Sequence, residues 1–573
     1  MNELREKILR IALQNAVEHG GKAAVNAVLS KILGEEPSLR PKAREIKEMV
    51  AAVVEEINKI ELKEQQRMLG EKFGQPPETK PPTVEERHLP PLPHAEKGKV
   101  VTRLPPEPSG YMHAGHAIAG LINEYYARLY DGKLWLRFED TNPRKAHPIY
   151  YESFRRGYRW LGIEWDYEKN NSDDMELYYE LVEKMVRDRR LYPCFCSVEE
   201  MRRQRAEGIR CQHSELDPDF AEKVWAKAMN GAYREGEVVF RLKGISDSPN
   251  TALRDPVMFR IVDHPHPLKG SRYRLWPTYD FAAAVQDAIC GVTHVLRSSE
   301  FAFRDELQNM IRNFLGLPNP VYVEFARFEF KGVTTSKREI RSLIEEGHVS
   351  GWDDPRLTTI EALKRRGLRP QTFREFMMTY AGVSYAKKEY DWSLLYSINR
   401  KILDPVAKRL FFVPDPVKIE LRNFEGSQVE IPFHPSADLG KRTLTVRDRV
   451  YISRQDAERL RPGAQFRCKL FANIKIVERT AEGFVGEVVP GPPPKDGMIV
   501  QWVGDDFVEC KVLRYGELLN EDGSINRESL WTEEGFCEKS VEQVSYDEVV
   551  QFERYGFVRR DSSDSVIFVY CHE

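Results

Sequence analysis

The chain lacks several features that would each have set its class. No stretch reaches the roughly 20 consecutive apolar residues that span a bilayer, although 41% of its 573 residues are hydrophobic. With 31% of residues charged, the composition is that expected of a soluble, globular, multidomain chain with no membrane partner. Cysteine is scarce: eight residues are too few for a disulfide framework in so long a chain. Charge of one sign is also missing. A net charge of −3 announces no nucleic-acid partner globally, so any RNA-binding face must be a local basic patch offset by acid elsewhere. The first residues, MNELREKILRIALQNAVEHGG, alternate charged with apolar residues at helical spacing. That is neither a secretory signal nor an Arg-rich, acid-poor transit peptide, and the expected location is the cytoplasm.

What is present is organised around Val100 to Asp140. Val100, Val101 and Leu104 mark a short buried strand that runs into Pro105, Pro106 and Pro108 and then Ser109-Gly110, which cannot prolong it. Apolar residues then recur at Ile118, Leu121, Ile122, Tyr125, Tyr126 and Leu129, the spacing of a helix with one buried face. Asp131-Gly132 stops the helix, and Leu134, Trp135, Leu136 and Phe138 form a second strand, which predicts a right-handed crossover in a parallel sheet. His113 and His116 fall where the strand has turned and the helix begins, with Gly115 between them allowing close approach to the backbone. Free N–H groups and the helix dipole favour phosphate there, and imidazole donors add stabilisation where charge develops in phosphoryl or nucleotidyl transfer. Taken alone, the pair is better explained by one histidine capping the helix and the other packing, so the assignment needs support from elsewhere. Glu139 lies at the spacing of a dinucleotide ribose ligand, but there is no G-x-G-x-x-G, and a turn crowded with proline and histidine fits an oxidoreductase badly.

Residues 1–75 read as a helical module and 76–96 as a proline-rich linker. The parallel-sheet unit occupies 97–190, with an amphipathic helix carrying Phe154, Tyr158 and Leu161 and a further helix from Asp174 to Arg189. The pattern changes over 191–275, where a helix from Phe220 to Met229 and the alternating EVVFRLKG and VMFRIVDHPHP indicate a domain inserted between halves of the sheet. Within it Cys194, Cys196, Cys211 and His213 form a C-x-C…C-x-H set. Three thiolates and an imidazole satisfy tetrahedral zinc, and four protein ligands leave no open position, which makes the metal structural. The spacing is tighter than the common C-x-x-C knuckle, and unliganded cysteines are the alternative. Cys290, Cys468, Cys510, Cys537 and Cys571 are isolated and expected to be packed or partly exposed thiols.

Sheet-like sequence resumes over 276–338, with a helix from Tyr279 to Ile289 and the buried strand VTHVLRSSE ending at a ligand-facing edge. A Gly332 turn and the polar loop TTSKR then place Lys337 near a helix start, suited to clamping a triphosphate. T-S-K-R is a common surface string, but with His113 and His116 in the other half of a split nucleotide fold the balance moves to chemistry. Residues 339–398 return to helices, with a basic stretch at Lys364, Arg365, Arg366 and Arg369, and 399–573 alternate as β-barrels. Basic residues with aromatics on barrel surfaces suit single-stranded RNA loops, and a solvated face explains them equally well.

PPEPSGYMHAGH and TTSKR, in that order, resemble the HIGH and KMSKS signatures of class I aminoacyl-tRNA synthetases. LRFEDTNP, WPTYDFAAAVQDAICGVTHVLRSSE and GWDDPRLTTIEALKRRG are similar to the glutamyl/glutaminyl branch, and the likeness runs from residue 97 through the carboxyl-terminal barrels. Barrels in the carboxyl half and a helical amino-terminal extension look like the archaeal type of the glutamyl enzymes. The resemblance implies an α/β multidomain fold: a Rossmann-like parallel sheet with an inserted acceptor-stem-binding domain, a helical connector and anticodon-binding barrels. It implies activation of an amino acid by ATP and Mg²⁺ and transfer to the terminal adenosine of tRNA. His113 and His116 would stabilise the phosphates, with Pro106 and Gly115 beside the nucleotide. Lys337, with Ser336 and Arg338, would close over the leaving pyrophosphate; because TTSKR stands in place of KMSKS, only the second lysine can act.

The amino-acid site implied by the resemblance is Arg103, Glu139, Tyr279 and Arg297, with Glu139 on the α-ammonium and the others on the carboxylates. Arg297 stands where glutaminyl enzymes carry an uncharged residue. A guanidinium fork matches a carboxylate, whereas an amide offers donors to a donor, so L-glutamate is favoured. Internal salt bridges, Arg297 with Glu300 or Arg103 with Glu139, are the structural alternative. Arg409 matches an anticodon-contacting arginine by one residue only. The expected enzyme is a monomer charging tRNA-Glu, with tRNA-Gln left open. The alternatives are a glutaminyl-tRNA synthetase and a non-catalytic tRNA-binding relative, the latter opposed by the intact His113, His116 and Lys337.

Overall fold

The computed structural model describes residues 2–18, 21–36, 39, 43–73, 88–332, 337–382, 388–494 and 497–573. The chain forms two compact units, Met1–His88 and Leu89–Glu573.

In the first unit, α1 (Asn2–Glu18), α2 (Val25–Glu35), α3 (Ala43–Asn58) and α4 (Leu62–Phe73) close around Ile8, Ile11, Leu13, Val28, Ile32, Val50, Val53 and Ile57. Apolar periodicity marks the first three helices. In α4 a core position is taken by Gln65, whose Nε2 donates to the carbonyls of Gly21, Ile57 and Ile60 at 2.9–3.0 Å. A polar side chain in an apolar slot hides the helix from a pattern count.

The second unit starts inside the stretch whose composition reads as linker. Leu89 and Leu92 are buried; their N–H groups donate to the Tyr125 and Tyr130 hydroxyls at 3.2 and 3.0 Å, and the Tyr126 hydroxyl donates to the Pro90 carbonyl at 2.7 Å. Two leucines anchor a strand-less segment whose prolines still offer carbonyls. Next come β1 (Val101–Leu104), α5 (Ala114–Leu129), β2 (Lys133–Phe138), α6 (Pro148–Trp160) and β3 (Tyr167–Asn170), a parallel sheet in register Leu104↔Leu136 and Leu136↔Glu168. After α7 (Met175–Arg187) an antiparallel sheet is inserted: β4 (Leu191–Cys194), then α8 (Val198–Glu207) and α9 (Pro218–Met229), then β5 (Val239–Leu242), β6 (Val257–Ile261) and β7 (Leu275–Pro277). The parallel layer resumes with α10 (Tyr279–Ile289), β8 (His294–Ser298), α11 (Asp305–Leu315) and β9 (Val321–Phe325).

β8 lies beside β1 but not in a full ladder. The Thr293 N–H donates to the Val101 carbonyl at 3.0 Å. Further along, side chains replace backbone pairing, with Arg103 Nη1 and Asn123 Nδ2 both donating to the Leu296 carbonyl at 3.2 and 3.3 Å. The strands therefore splay at their carboxyl ends, where chain direction across the sheet reverses, the place at which open α/β sheets bind ligands.

The connector comprises β10 (Phe328–Phe330), α12 (Lys337–Glu345), α13 (Ile360–Arg365), α14 (Pro370–Phe376), β11 (Lys388–Tyr390) and α15 (Trp392–Leu403). Two cations of its basic stretch point inward: Arg365 pairs with Asp561 at 2.7 Å, and Arg366 is buried over Trp392 at 4.1 Å. The remaining strands are β12 (Arg409–Leu410), β13 (Phe412–Pro414), β14 (Pro416–Arg422), β15 (Ser427–Pro432), β16 (Lys441–Val446), β17 (Arg449–Ser453), β18 (Gln465–Cys468), β19 (Asn473–Arg479), β20 (Gly483–Val489), β21 (Met498–Val500), β22 (Val508–Tyr515), β23 (Leu530–Cys537), β24 (Val549–Phe552), β25 (Gly556–Arg560) and β26 (Ile567–His572). β12 and β13, separated by Phe411 alone, occupy opposite edges of the order β12-β24-β25-β26-β22-β23-β13, so this sheet closes on itself. The order β17-β14-β20-β19-β18-β21 is closed by pairing of Tyr451 with Val503, just beyond β21. Two barrels result, and closure removes their edges.

Candidate active site

The splayed end of β1 and β8 opens into a cavity of about 370 Å³ lined by Arg103, Pro106, His113, Gly115, His116, Glu139, Tyr279 and Arg297. Eight residues singled out from sequence thus share one crevice. Ser336 lies outside the described residues, as does the loop before it; Lys337 is the first residue of α12, and Arg338 is exposed beside it. Arg409 is remote, on β12, where it pairs with Asp404 at 2.9 Å.

β1 ends at Leu104, just before Pro105, and the chain turns to start α5 at Ala114 with His113 as its cap. His113 Nδ1 accepts the Gly115 N–H at 3.2 Å, and His116 Nδ1 accepts the His113 N–H at 3.3 Å. Both histidines therefore cap the helix, rather than one capping and the other only packing. With each Nδ1 an acceptor, the proton of the neutral ring sits on Nε2, which makes that nitrogen the donor. A Cβ at Gly115 would come within 3.1 Å of the His113 ring, so a side chain there would crowd the capping imidazole. The turn is held from outside by the start of α13 and the residues just before it: Ala114 N–H donates to Thr358 O and Ile360 N–H to Met112 O, each at 2.9 Å.

The other wall is a chain of buried charges. Asp287, from α10, accepts from Arg103 Nε at 3.3 Å and Arg137 Nη1 at 2.6 Å, and Arg137 Nη2 reaches Glu139 at 3.3 Å. Arg297 donates to Asp305, to Gln308 Oε1 at 3.2 Å and to the Tyr279 hydroxyl at 3.5 Å, with its guanidinium 4.9 Å from the Tyr322 ring centroid. The internal pairs are therefore Arg103–Asp287 and Arg297–Asp305, not Arg103–Glu139 and Arg297–Glu300; Glu300 meets Arg327 at 3.6 Å. Burial lifts the Glu139 carboxyl to about 7 against the pull of Arg137 and Arg103. Burial also works to raise Asp287, but Arg137, Arg103 and Arg312 outweigh it and hold that carboxyl below its ordinary value. Tyr279 is pushed up, chiefly by burial, and stays a neutral hydroxyl.

Sequence reasoning missed Arg137, Asp287, Asp305 and Gln308. Arg137 sits between Leu136 and Phe138 and reads as the outward residue of an alternating strand, but β2 is covered on both faces. Asp287 follows an apolar helical run that gives no sign of facing two arginines.

In the inserted domain, the ligand atoms of Cys194, Cys196, Cys211 and His213 all lie within 4.8 Å of one another. Cys211 Sγ is 3.8 Å from that of Cys194 and 3.5 Å from that of Cys196, and His213 Nδ1 is 3.1 and 3.6 Å from Cys211 and Cys196. A tetrahedron of 2.3 Å zinc–sulfur bonds sets sulfurs roughly 3.8 Å apart, so the set fits zinc. Arg241 and Gln204 donate to Cys194 and Cys196 sulfurs at 3.7 and 3.6 Å, the outer support a thiolate site needs. The other five cysteines are buried and unpaired by disulfides.

Residues 99–405 match the family described as tRNA synthetases class I (E and Q), catalytic domain, and 407–490 and 499–561 match its two anti-codon binding domains. Three similar proteins, each named glutamate–tRNA ligase, align end to end. That of Nitrosopumilus maritimus is 39% identical over 99% of both chains; those of Pyrococcus furiosus and Thermococcus kodakarensis are 40% identical over 100% of both.

Proposed function

The chain belongs to the class I tRNA synthetases of the E and Q family, and from that premise we propose that it joins L-glutamate to tRNA-Glu through a glutamyl-adenylate. The observation that carries the choice of glutamate is the buried guanidinium of Arg297 in the same crevice as Glu139. Glu139 suits the α-ammonium; Arg297, Arg103 and the neutral Tyr279 hydroxyl are donors for carboxylates. The amide NH₂ of glutamine would face donors with a donor.

The ATP phosphates belong over the first turn of α5, where the helix dipole and the Nε2–H donors of His113 and His116 act on them. Bound with ATP, magnesium would supply further neutralisation of the phosphate charge. The substrate α-carboxylate attacks the α-phosphorus, and pyrophosphate leaves past the start of α12, with Lys337, Ser336 and Arg338 as its proposed clamp. The ribose hydroxyl of the terminal adenosine then attacks the adenylate carbonyl, and AMP departs. The inserted domain is proposed for the acceptor stem and the barrels for the anticodon, Arg409 included. Cys194, Cys196, Cys211 and His213 are proposed to hold one structural zinc, and the proposed location is the cytoplasm.

ATP–pyrophosphate exchange with tRNA-Glu present, comparing glutamate with glutamine, tests the reading. Glutamate should be preferred, and Arg297→Ala should erode that preference by roughly 10²-fold, the scale of a lost charged hydrogen-bond pair. A preference for glutamine, or one that Arg297→Ala leaves intact, would sink the specificity argument.

A further inference from the structure

The inserted domain sends one side chain into the catalytic sheet. Beyond β6 the chain makes a tight turn in which the His266 and Gly270 N–H groups donate to each other's carbonyls at 2.9 and 2.8 Å. His266, buried and stacked on Trp276 at 5.0 Å between centroids, accepts the Leu268 N–H on Nδ1 at 3.2 Å. Its proton therefore sits on Nε2, which donates to the Asp140 carbonyl at 2.9 Å. Lys269 makes a second tie, to Asp173 at 2.7 Å.

Asp140 directly follows Glu139. Its carboxylate accepts the Ser172 N–H at 2.8 Å, the Ser172 hydroxyl at 2.7 Å and the Tyr151 hydroxyl at 2.9 Å. On the other side the Glu139 N–H donates to the Pro106 carbonyl at 2.9 Å. The peptide after Asp140, one residue beyond Glu139, thus hangs on His266, and the Glu139 carboxyl meets Arg137 at 3.3 Å. The chain after β7 also delivers Tyr279 into the same crevice.

We propose that His266 is a positioning residue for the amino-acid site: by holding the Asp140 carbonyl it sets where Glu139 points, so that the inserted domain is part of the machinery that selects the α-ammonium. This rests on the assignment of Glu139 to the ammonium. A glutamine at 266 can present an amide N–H near the place of Nε2, whereas alanine cannot.

The test is steady-state pyrophosphate exchange with the full chain and tRNA-Glu. His266→Ala should raise the KM for glutamate about tenfold with little change in that for ATP, and His266→Gln should recover most of the loss, because one directional donor is at stake. Unchanged constants, a parallel rise in both KM values, or failure of glutamine to outperform alanine would each overturn the proposal. Should His266→Ala not fold, Ser172→Ala loosens Asp140 from the opposite side and must give the same split; an unaltered glutamate KM there also refutes it. Glu139→Gln separates the two layers. If it raises the glutamate KM while His266→Ala does not, only the positioning role fails; if it has no effect, the Glu139 assignment itself is wrong.

Discussion

Acidification should weaken glutamate binding chiefly through Glu139, with the adjoining Asp140 carboxyl, lifted by burial to about 6, following at lower pH. The Glu139 carboxyl is lifted to about 7 by burial, so in the free enzyme at neutral pH roughly half of the molecules carry it protonated and unable to pair with an ammonium. If only the ionised form binds, the apparent dissociation constant scales as one plus the protonated-to-ionised ratio. That ratio changes from about 0.1 at pH 8 to about 10 at pH 6, an approximately tenfold loss of glutamate affinity. The arriving ammonium favours the carboxylate, so binding near pH 7 should also release a proton. Titration calorimetry in two buffers of different ionisation enthalpy reads that proton, and the KM for ATP serves as the internal control. Linkage gives the stability sign: a carboxyl raised in the folded state contributes stability that is full below the unfolded value near 4.3 and is lost as pH rises through about 7. Glu139→Gln should remove the pH dependence of the glutamate KM between pH 7 and 8, above the range in which Asp140 titrates. A glutamate KM that is flat from pH 6 to 8, or one that moves together with that of ATP, would refute the reasoning.

Asp287→Asn strands Arg103 and Arg137 without their shared counter-ion and should cost about 3–5 kcal/mol in denaturant unfolding, the penalty of breaking a buried ion pair from one side. His116→Ala removes one capping acceptor worth about 1 kcal/mol of stability but should slow pyrophosphate exchange by about 10²-fold; equal exchange rates would remove the catalytic assignment. Metal analysis after exchange into chelator-free buffer should find one zinc per chain, lost in Cys194→Ser, with proteolytic sensitivity appearing within 191–275; unchanged metal content in that variant would exclude the ligand.

The residues that sequence placed together are those whose position follows from periodic elements. β1, α5 and β2 are set by apolar spacing and by the breakers Pro105 and Gly132, and that alone puts His113 and His116 at a helix start. Arg103, Glu139, Tyr279 and Arg297 sit at element ends, where parallel sheets converge, and the family likeness located them. What stayed hidden is what binds these residues to each other. Asp287 contacts Arg103 and Arg137 across the whole inserted domain in sequence, and no local pattern encodes that contact. His266 looks like a loop histidine until its Nε2 is seen at the Asp140 carbonyl. Leu89 to Pro93 read as linker because two buried leucines among prolines form no period, and α4 was masked by Gln65.

The account stands most directly on charging of purified tRNA-Glu with ATP and either labelled glutamate or labelled glutamine. It predicts glutamyl-tRNA as the product, with glutamine charged at least about 10²-fold less efficiently, the discrimination expected of a buried guanidinium against an amide. Glutamine charged as well as glutamate, or no charging by a folded chain with His113, His116 and Lys337 intact, would contradict it.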